Sequence, residues 1–184
     1  MNFISEDMLI ERCRRGDAEA FGPLIKNYRR RLFSYLIKLS GEKNTADDLF
    51  QETLIKAWKG IPRFAGQSKF SSWLFSIAHN TAIDHLRKKI KNRNFEIGDG
   101  DTDNISDQSN PHIEYVTGET NSIVMNAVEK LSVKQKNVVL LRIHGRMSFK
   151  EIAELTGEPL NTVISHMHYA VKKLKKYLRH QDAG

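Results

Sequence analysis

The sequence is poor in the residues that build disulfide frameworks, zinc sites and membrane spans. Its 184 residues include one cysteine, Cys13, which excludes both a disulfide framework and a cysteine-based zinc site. No apolar run approaches the roughly 18 residues that a membrane-spanning helix needs. Residues 1–7 are acidic and lack the basic and apolar stretches of a secretory signal. We therefore expect a cytoplasmic protein with no membrane insertion.

Patterns typical of strands and of catalytic sites are also scarce. No segment shows the alternation of β-branched and polar residues that predicts a strand, so we expect an all-α fold. The sequence shows no glycine-rich phosphate loop and no nucleophile paired with a base. His79 and Asp84 would lie about 140° apart around a helix, and the acidic run at 99–103 lacks the glycine and glutamate of a calcium loop. We expect no enzyme activity, no cofactor and no bound metal.

Two basic blocks are joined by an acidic segment. Residues 1–92 carry 17 lysines and arginines against 10 acidic residues, and residues 121–184 carry 11 against 5. Between them, residues 93–120 carry one arginine, seven acidic residues and the glycine and asparagine content of a loop. The sequence thus predicts two small helical domains joined by a flexible acidic linker. Basic surfaces favour polyanions, but composition leaves DNA, RNA and anionic lipid open.

Apolar residues recur at helical spacing through the first block, and capping residues mark where its helices begin. Proline removes a backbone hydrogen-bond donor and so predicts a kink, and glycine predicts where a helix ends. The predicted helices run from Ser5 to Gly16, from Asp17 to Gly41 with a kink at Gly22-Pro23, from Thr45 to Gly60, and from about Ser71 to Lys91.

The third of these helices has an unusual outer face. With its apolar stripe buried, a group of acidic, amide and apolar side chains points outward in a domain that is otherwise basic. Such a surface is typical of protein docking, and a solvated helix face with one stray apolar residue is the alternative. The residues concerned are Asp47, Asp48, Gln51, Glu52 and Ile55.

The loop Arg63–Lys69 and the fourth helix combine aromatic, amide and basic side chains. Rings and amides beside cations suit single-stranded DNA, whose bases can stack on them or flip into a pocket. Trp73 lies on the inner stripe of the helix and is expected to be mostly core. The candidate DNA-contacting residues are Arg63, Phe64, Lys69, Asn80, Arg87 and Lys88.

Three helix-capping signals follow one another in the second block. Ser132 and Ser148 each begin a capping box, and Asn161 is expected to cap the long helix that follows it. A short helix, a turn with Gly157 and Pro159, and a second helix have the spacing of a helix-turn-helix, whose second helix enters the major groove. A basic helical hairpin that binds a protein is the alternative. The candidate DNA-contacting residues are Lys150, Thr162, Ile164, Ser165, His166, Tyr169, Lys172 and Lys173.

In these motifs the chain resembles the extracytoplasmic-function sigma factors, the smallest two-domain members of the bacterial sigma-70 family. The resemblance is carried by short runs in both blocks and covers nearly the whole chain except the acidic segment. The runs are Asp17–Phe21, Ala46–Glu52 with Ala57-Trp58, Phe70–Leu74 with Ile77–Asn80, Glu151–Ala153, and Thr162-Val163 with Ser165.

The resemblance implies an RNA polymerase sigma factor that binds core polymerase and directs promoter recognition, melting and transcription initiation. It implies that the face with Asp48, Gln51 and Glu52 grips the clamp helices of the polymerase β′ subunit. The Arg63–Lys69 loop and the next helix would capture the melted minus-ten element, with Asn80 near the flipped base. The C-terminal block would bind the minus-thirty-five element and the β flap, and the acidic linker would thread the RNA exit path. An anti-sigma factor is the further partner implied.

The recognition helix departs from the pattern of this family at four positions. A basic residue usually stands where this chain has Ile164, arginine where it has His166 and Tyr169, and often glycine where it has Asn161. The usual charge-assisted contacts to guanine or phosphate are therefore missing, and Ile164 could instead meet a thymine methyl. The alternative function is a non-sigma helix-turn-helix regulator whose N-terminal domain senses or dimerises and which binds duplex DNA without polymerase.

Overall fold

The computed structural model describes residues 5–97 and 127–181, with side chains described for residues 5–92 and 127–179. Within those ranges all regular structure is helical, which confirms the predicted all-α class. The chain divides into two compact units, Met1–Glu96 and Ile97–Gly184. The acidic run at 99–103 and the rest of the predicted linker from residue 98 lie outside the described residues, so the linker's boundaries stay a prediction.

The first unit contains five α-helices joined by short connections. Ser5 caps the first helix by accepting a hydrogen bond from the Met8 amide, and Asp17 caps the second through the Glu19 amide. The helices are α1 (Glu6–Arg14), α2 (Ala18–Lys26), α3 (Arg29–Ser40), α4 (Lys43–Gly60) and α5 (Phe70–Ile97), with a 3₁₀ turn at Ile61–Arg63.

The expected kinked helix from Asp17 to Gly41 is wrong, because the chain forms two helices that meet at Asn27 and Tyr28. Pro23 sits inside α2, where its missing amide costs a single intrahelical hydrogen bond. The break instead comes where the buried ring of Tyr28 packs against Phe70 at 5.4 Å and its hydroxyl donates to Glu6 at 2.5 Å. The tertiary contacts of Tyr28 therefore determine where α2 ends and α3 begins.

Two other helix boundaries also differ from expectation. α4 begins at Lys43 rather than Thr45, and the Thr45 hydroxyl donates to the Glu42 carboxylate at 2.9 Å instead of capping the helix. α5 continues to Ile97, six residues beyond the expected end at Lys91. The stretch after Lys91 contains no glycine or proline before Gly98, so nothing in it ends the helix sooner.

The core of the first unit forms where α3 packs on α4 and α1 packs on α2. α4 contributes small and medium side chains along one stripe, and the one polar member, Thr53, donates its hydroxyl to the Leu49 carbonyl at 2.7 Å. Cys13 on α1 is fully buried, and burial raises the pKa of its thiol. The stripe of α4 is Ala46, Leu49, Thr53 and Ala57.

A buried polar pair joins α3 to α5. The Tyr35 hydroxyl lies 2.8 Å from His79 Nδ1, and both side chains are almost wholly shielded from solvent. Burial, together with the positive charge of Arg87, lowers the pKa of His79 to about 4, and burial raises the pKa of Tyr35. His79 is therefore neutral in the folded protein at neutral pH and serves as a hydrogen-bonded core residue.

Within residues 127–181, the second unit shows three α-helices after a helical stretch at 127–129. Both predicted capping boxes are confirmed, at Ser132 with Gln135 and at Ser148 with Glu151. Gly157 adopts a left-handed conformation with φ of 70° and ends the middle helix. The helices are α6 (Val133–Leu140), which continues into a π turn at Leu141–Gly145, α7 (Phe149–Thr156) and α8 (Leu160–Gln181).

α7, the turn and α8 form the predicted helix-turn-helix, but its second helix starts earlier than expected. The Pro159 carbonyl accepts from the amides of Thr162 and Val163, so Asn161 lies inside the first turn and does not cap. Pro159 directly precedes the first helical residue, Leu160, so its carbonyl begins the hydrogen bonding of the helix. Val163 and Ala170 of α8 are fully buried, as is Ile152 of α7.

The buried imidazole predicts a pH-dependent stability of the first unit. His79 has an ordinary pKa of about 6.5 when unfolded and about 4 when folded, so the unfolded chain binds more protons between these values. Stability is therefore full above about pH 6.5 and falls with decreasing pH, by about 2 kcal/mol between pH 7 and pH 5. Urea unfolding followed by tryptophan fluorescence measures it, since both tryptophans, Trp58 and Trp73, lie in this unit.

The matched variant is His79→Gln, which removes the titrating group and keeps a polar side chain beside Tyr35. The pH-dependent part of the unfolding free energy should shrink by the same amount in this variant. Equal slopes in the two proteins would contradict the assignment, because the remaining ionisable groups are common to both.

Candidate surfaces for a protein partner and for DNA

The predicted docking residues of α4 all lie exposed on one side of the helix. We call Asp47, Asp48, Gln51, Glu52 and Ile55 the α4 face. It lies opposite the buried stripe of the same helix, and Ile55 is 54% exposed although it is apolar. An exposed isoleucine among carboxylates and an amide is typical of a surface that a partner covers.

Lys56 connects the α4 face to α5, a role that the sequence analysis missed. Its Nζ lies 2.7 Å from Glu52 Oε1 and donates to the Thr81 hydroxyl at 3.1 Å. Thr81 is buried, so the lysine ties an exposed carboxylate to a fixed point on the neighbouring helix. The spacing of Glu52 and Lys56 at i and i+4 is the signal in the sequence that would have found this pair.

Phe64 is buried, which corrects its expected position among the exposed DNA-contacting residues. The ring packs 5.7 Å from Phe70 and 5.1 Å from Trp73, and the last two lie 5.4 Å apart. The 3₁₀ turn before it directs the chain inward, with the Phe64 amide donating to the Ile61 carbonyl. Phe64 therefore supports the loop from beneath. Trp73, which was expected to be mostly core, is half-buried in the same aromatic cluster.

The other candidates around α5 are exposed along the helix. Asn80, Arg87 and Lys88 point to solvent, as do Arg63 and Lys69 in the loop before the helix. Asn80 lies about 16 Å along the axis from Lys69 and Arg87 about 10 Å further, at 1.5 Å per residue. Acidic Asp84 shares this line, with Oδ1 3.9 Å from Arg87 Nη1. The surface is thus an extended polar and basic track rather than a pocket.

One side of α8 is exposed over most of the helix length. At about 100° per residue these positions cluster opposite the buried Val163 and Ala170. We call this surface the α8 face. It consists of Asn161, Ser165, His168, Tyr169, Lys172, Lys176 and Arg179.

The predicted readers of the recognition helix do not all lie on that surface. Ser165, Tyr169 and Lys172 do, and Ile164, which is 42% exposed, lies at its edge. Thr162 is half-buried. His166 is turned away, with its side chain 21% exposed and its Nε2 3.5 Å from Glu158 Oε2 in the turn.

The basic candidate residues of the second unit also include both exposed side chains and side chains with contacts inside the unit. Lys150 is exposed near the start of α7, whereas Lys173 Nζ donates to the Lys130 carbonyl at 2.6 Å and so ties α8 to the segment before α6. His168 is an exposed residue that the sequence analysis did not select. Its spacing of three from Ser165 and four from Lys172 places it on the same helix face and could have identified it.

The model for sigma-70 region 2 matches residues 24–91, and the model for sigma-70 region 4 matches residues 122–174. The chain belongs to the extracytoplasmic-function sigma factors. It is 33% identical to the RNA polymerase sigma factor YlaC of Bacillus subtilis, over 83% of this chain and 88% of that protein.

Two further relatives span nearly the same length. The extracytoplasmic-function sigma factor SigW of Bacillus subtilis is 28% identical over 92% of this chain and 95% of its own. Among solved structures, the sigma factor RpoE of Bartonella quintana, in complex with the anti-sigma factor NepR, matches with a TM-score of 0.65. That match has 25% identity and covers 88% of this chain and 98% of the other.

This sigma factor directs promoter recognition and transcription initiation by RNA polymerase, and the alternative of a non-sigma regulator is set aside. Across residues 5–97 and 127–181, no helix is long and apolar enough to cross a membrane. In the same described ranges, histidine, cysteine, aspartate and glutamate nowhere form a group of three that could hold a metal ion.

Phe64 is buried and the adjacent Arg63 is exposed, so substitutions at the two positions should have different effects on the stability of the first unit. Phe64→Ala should lower the free energy of unfolding by about 3 kcal/mol, because it leaves a cavity beside Phe70 and Trp73. Arg63→Ala should change it by less than about 0.5 kcal/mol. Urea unfolding followed by tryptophan fluorescence gives both values. A Phe64→Ala protein as stable as the wild type would show that the ring is not part of the core.

Proposed function

We propose that the α4 face binds the clamp helices of the β′ subunit of core polymerase. The observation that carries the proposal is the exposed Ile55 on the same helix face as three carboxylates, opposite a helix stripe that is wholly buried. An exposed apolar side chain beside charged groups is typical of a surface that a protein partner covers. The Lys56 contact holds Glu52 in place before docking, which reduces the side-chain entropy lost on binding.

Removal of one carboxylate from the α4 face tests this proposal. Glu52→Ala should weaken binding to purified core polymerase by about tenfold, since a charge-assisted contact contributes on the order of 1–3 kcal/mol. Stability should change by less than about 0.5 kcal/mol, because the ion pair with Lys56 that is lost is exposed to solvent. Competition against a fluorescently labelled wild-type chain measures the affinity.

Glu19→Ala is the matched control, because Glu19 is an exposed glutamate on α2, outside the α4 face. It should bind core polymerase as the wild type does. Equal affinities for Glu52→Ala and Glu19→Ala would remove the α4 face from the interface.

We propose that the exposed track along α5 contacts the melted minus-ten strand. Its cations would neutralise phosphates, and the Asn80 amide would hydrogen-bond an unstacked base. Phe64 would act indirectly by holding the loop that carries Arg63 and Lys69. The remaining members of the track are Asn80, Arg87 and Lys88.

The Asn80 assignment predicts a defect in melting rather than in polymerase binding. Asn80→Ala should slow open-complex formation on a duplex promoter by about tenfold, because one base contact is lost. Permanganate footprinting of unpaired thymines measures the opening, and binding to core should be unaffected. Asn27→Ala, at an exposed asparagine between α2 and α3, is the control. A normal opening rate for Asn80→Ala would exclude Asn80 from base capture.

We propose that the α8 face reads the minus-thirty-five element. The Ser165 hydroxyl donates to the Asn161 carbonyl at 2.8 Å, so its oxygen is left to accept from a base edge. His168 and Tyr169 offer imidazole and phenol groups, and Ile164 at the edge offers an apolar contact to thymine. Lys172, Lys176 and Arg179 continue the same face towards the end of the helix and suit phosphates, as does Lys150 on α7. His166 and Lys173, which have contacts within the unit, are assigned to structure.

The remaining partners are proposed from the family and from the solved relative. We infer that the second unit also contacts the β flap, that the acidic linker follows the RNA exit path, and that an anti-sigma factor controls the chain. The complex of the Bartonella quintana sigma factor with NepR supports the last of these. The chain would act in the cytoplasm, by binding rather than by catalysis.

A further inference from the structure

Glu158, in the turn of the helix-turn-helix, contacts the side chains of Lys134 and His166 from two different helices. Its Oε1 lies 3.0 Å from Lys134 Nζ on α6, and its Oε2 lies 3.5 Å from His166 Nε2 on α8. The side chain of Glu158 is only 18% exposed. One carboxylate therefore connects the first turn of α6, the turn itself and the recognition helix.

The contact with His166 is the better shielded of the two. The His166 side chain is 21% exposed, whereas the Lys134 side chain is 69% exposed and open to screening by solvent and salt. Within the described residues, His166 Nε2 is buried and makes no hydrogen bond, so the carboxylate 3.5 Å away is the polar group that its orientation depends on. The Glu158–His166 half should therefore account for most of the effect, and Lys134 should add little.

The position of His166 around the helix shows what this contact can do. His166 lies about 120° from Lys172 and the centre of the α8 face, at about 100° per residue. A contact on this side of the helix can hold α8 against rotation about its own axis. Side chains extend about 5 Å from a helix axis, so a rotation of about 20° moves a donor by about 2 Å and breaks a hydrogen bond to a base.

We propose that Glu158 is a positioning residue for minus-thirty-five recognition, acting through His166 to fix the rotation of α8. The proposal rests on the proposed function of the α8 face as the promoter-reading surface. His166 then serves as an anchor within the unit, although it stands in the recognition helix, and Ser165 and His168 are presented to the base edges.

The test measures base preference position by position. Holoenzyme assembled from core polymerase and each variant selects from a pool of promoter duplexes whose minus-thirty-five region is randomised, and the bound duplexes are sequenced. Loss of a positioning contact should weaken the preference at every position together, by about fivefold, without changing which base is preferred. Loss of a reading residue, as in Ser165→Ala or His168→Ala, should erase the preference at one or two positions only.

Glu158→Ala and His166→Ala should give the same uniform loss, and the double variant should be no worse than either, because both remove one contact. Glu158→Gln should retain most of the preference, since it keeps the length of the side chain and a polar group beside Nε2. Lys134→Ala is the matched control and should resemble the wild type. Thermal unfolding is recorded in parallel, and selection is run where every variant is folded.

Several results would overturn the proposal. If His166→Ala loses base preference at one or two positions only, His166 is a reading residue. If Glu158→Ala keeps the full base preference, Glu158 has no positioning role. If the losses add in the double variant, Glu158 and His166 act separately. A wild-type holoenzyme that selects no upstream bases would refute the reading function of the α8 face itself. That outcome can be distinguished from failure of the Glu158 proposal, because it is measured on the wild-type protein alone.

Discussion

The close packing of α4 on α3 is the constraint on which the first unit depends. α4 packs on α3 and buries two alanines, a leucine and a threonine along one stripe. Aromatic pairs such as Phe33 with Phe50, 6.0 Å apart, fill the space beside the stripe. Asp48, Glu52 and Ile55 lie on the opposite side of the helix from this stripe, so burying the stripe leaves them exposed. The core and the docking surface are two consequences of one packing arrangement.

The features that the sequence predicted correctly are those encoded over three or four neighbouring residues. Both capping boxes, at Ser132 and Ser148, form as expected, since each is a local exchange of hydrogen bonds. The break at Tyr28 was missed because it depends on Glu6 and Phe70, which are distant in sequence. Local propensity favours a continuous helix there, and tertiary contacts override it.

The candidate surfaces show the same division between local and distant information. The exposure of the α4 face follows from helical periodicity, which the sequence contains. The orientation of Phe64 does not, because an aromatic residue in a loop can face solvent or core with equal ease until its neighbours are known. His166 stands in the recognition helix as a reader would, and the carboxylate that turns it inward lies in the preceding turn. Neither outcome is visible in the periodicity of a single helix.

The fully buried thiol of Cys13 has a practical consequence for spectroscopy. It is the sole cysteine of the sequence, it has no exposed surface, and its raised pKa disfavours the thiolate that reacts with maleimides. A cysteine introduced at an exposed site on α4 or α8 can therefore carry a fluorophore or spin label while the native thiol stays unmodified. Single-molecule distance measurements within a polymerase complex become accessible without first replacing a core residue.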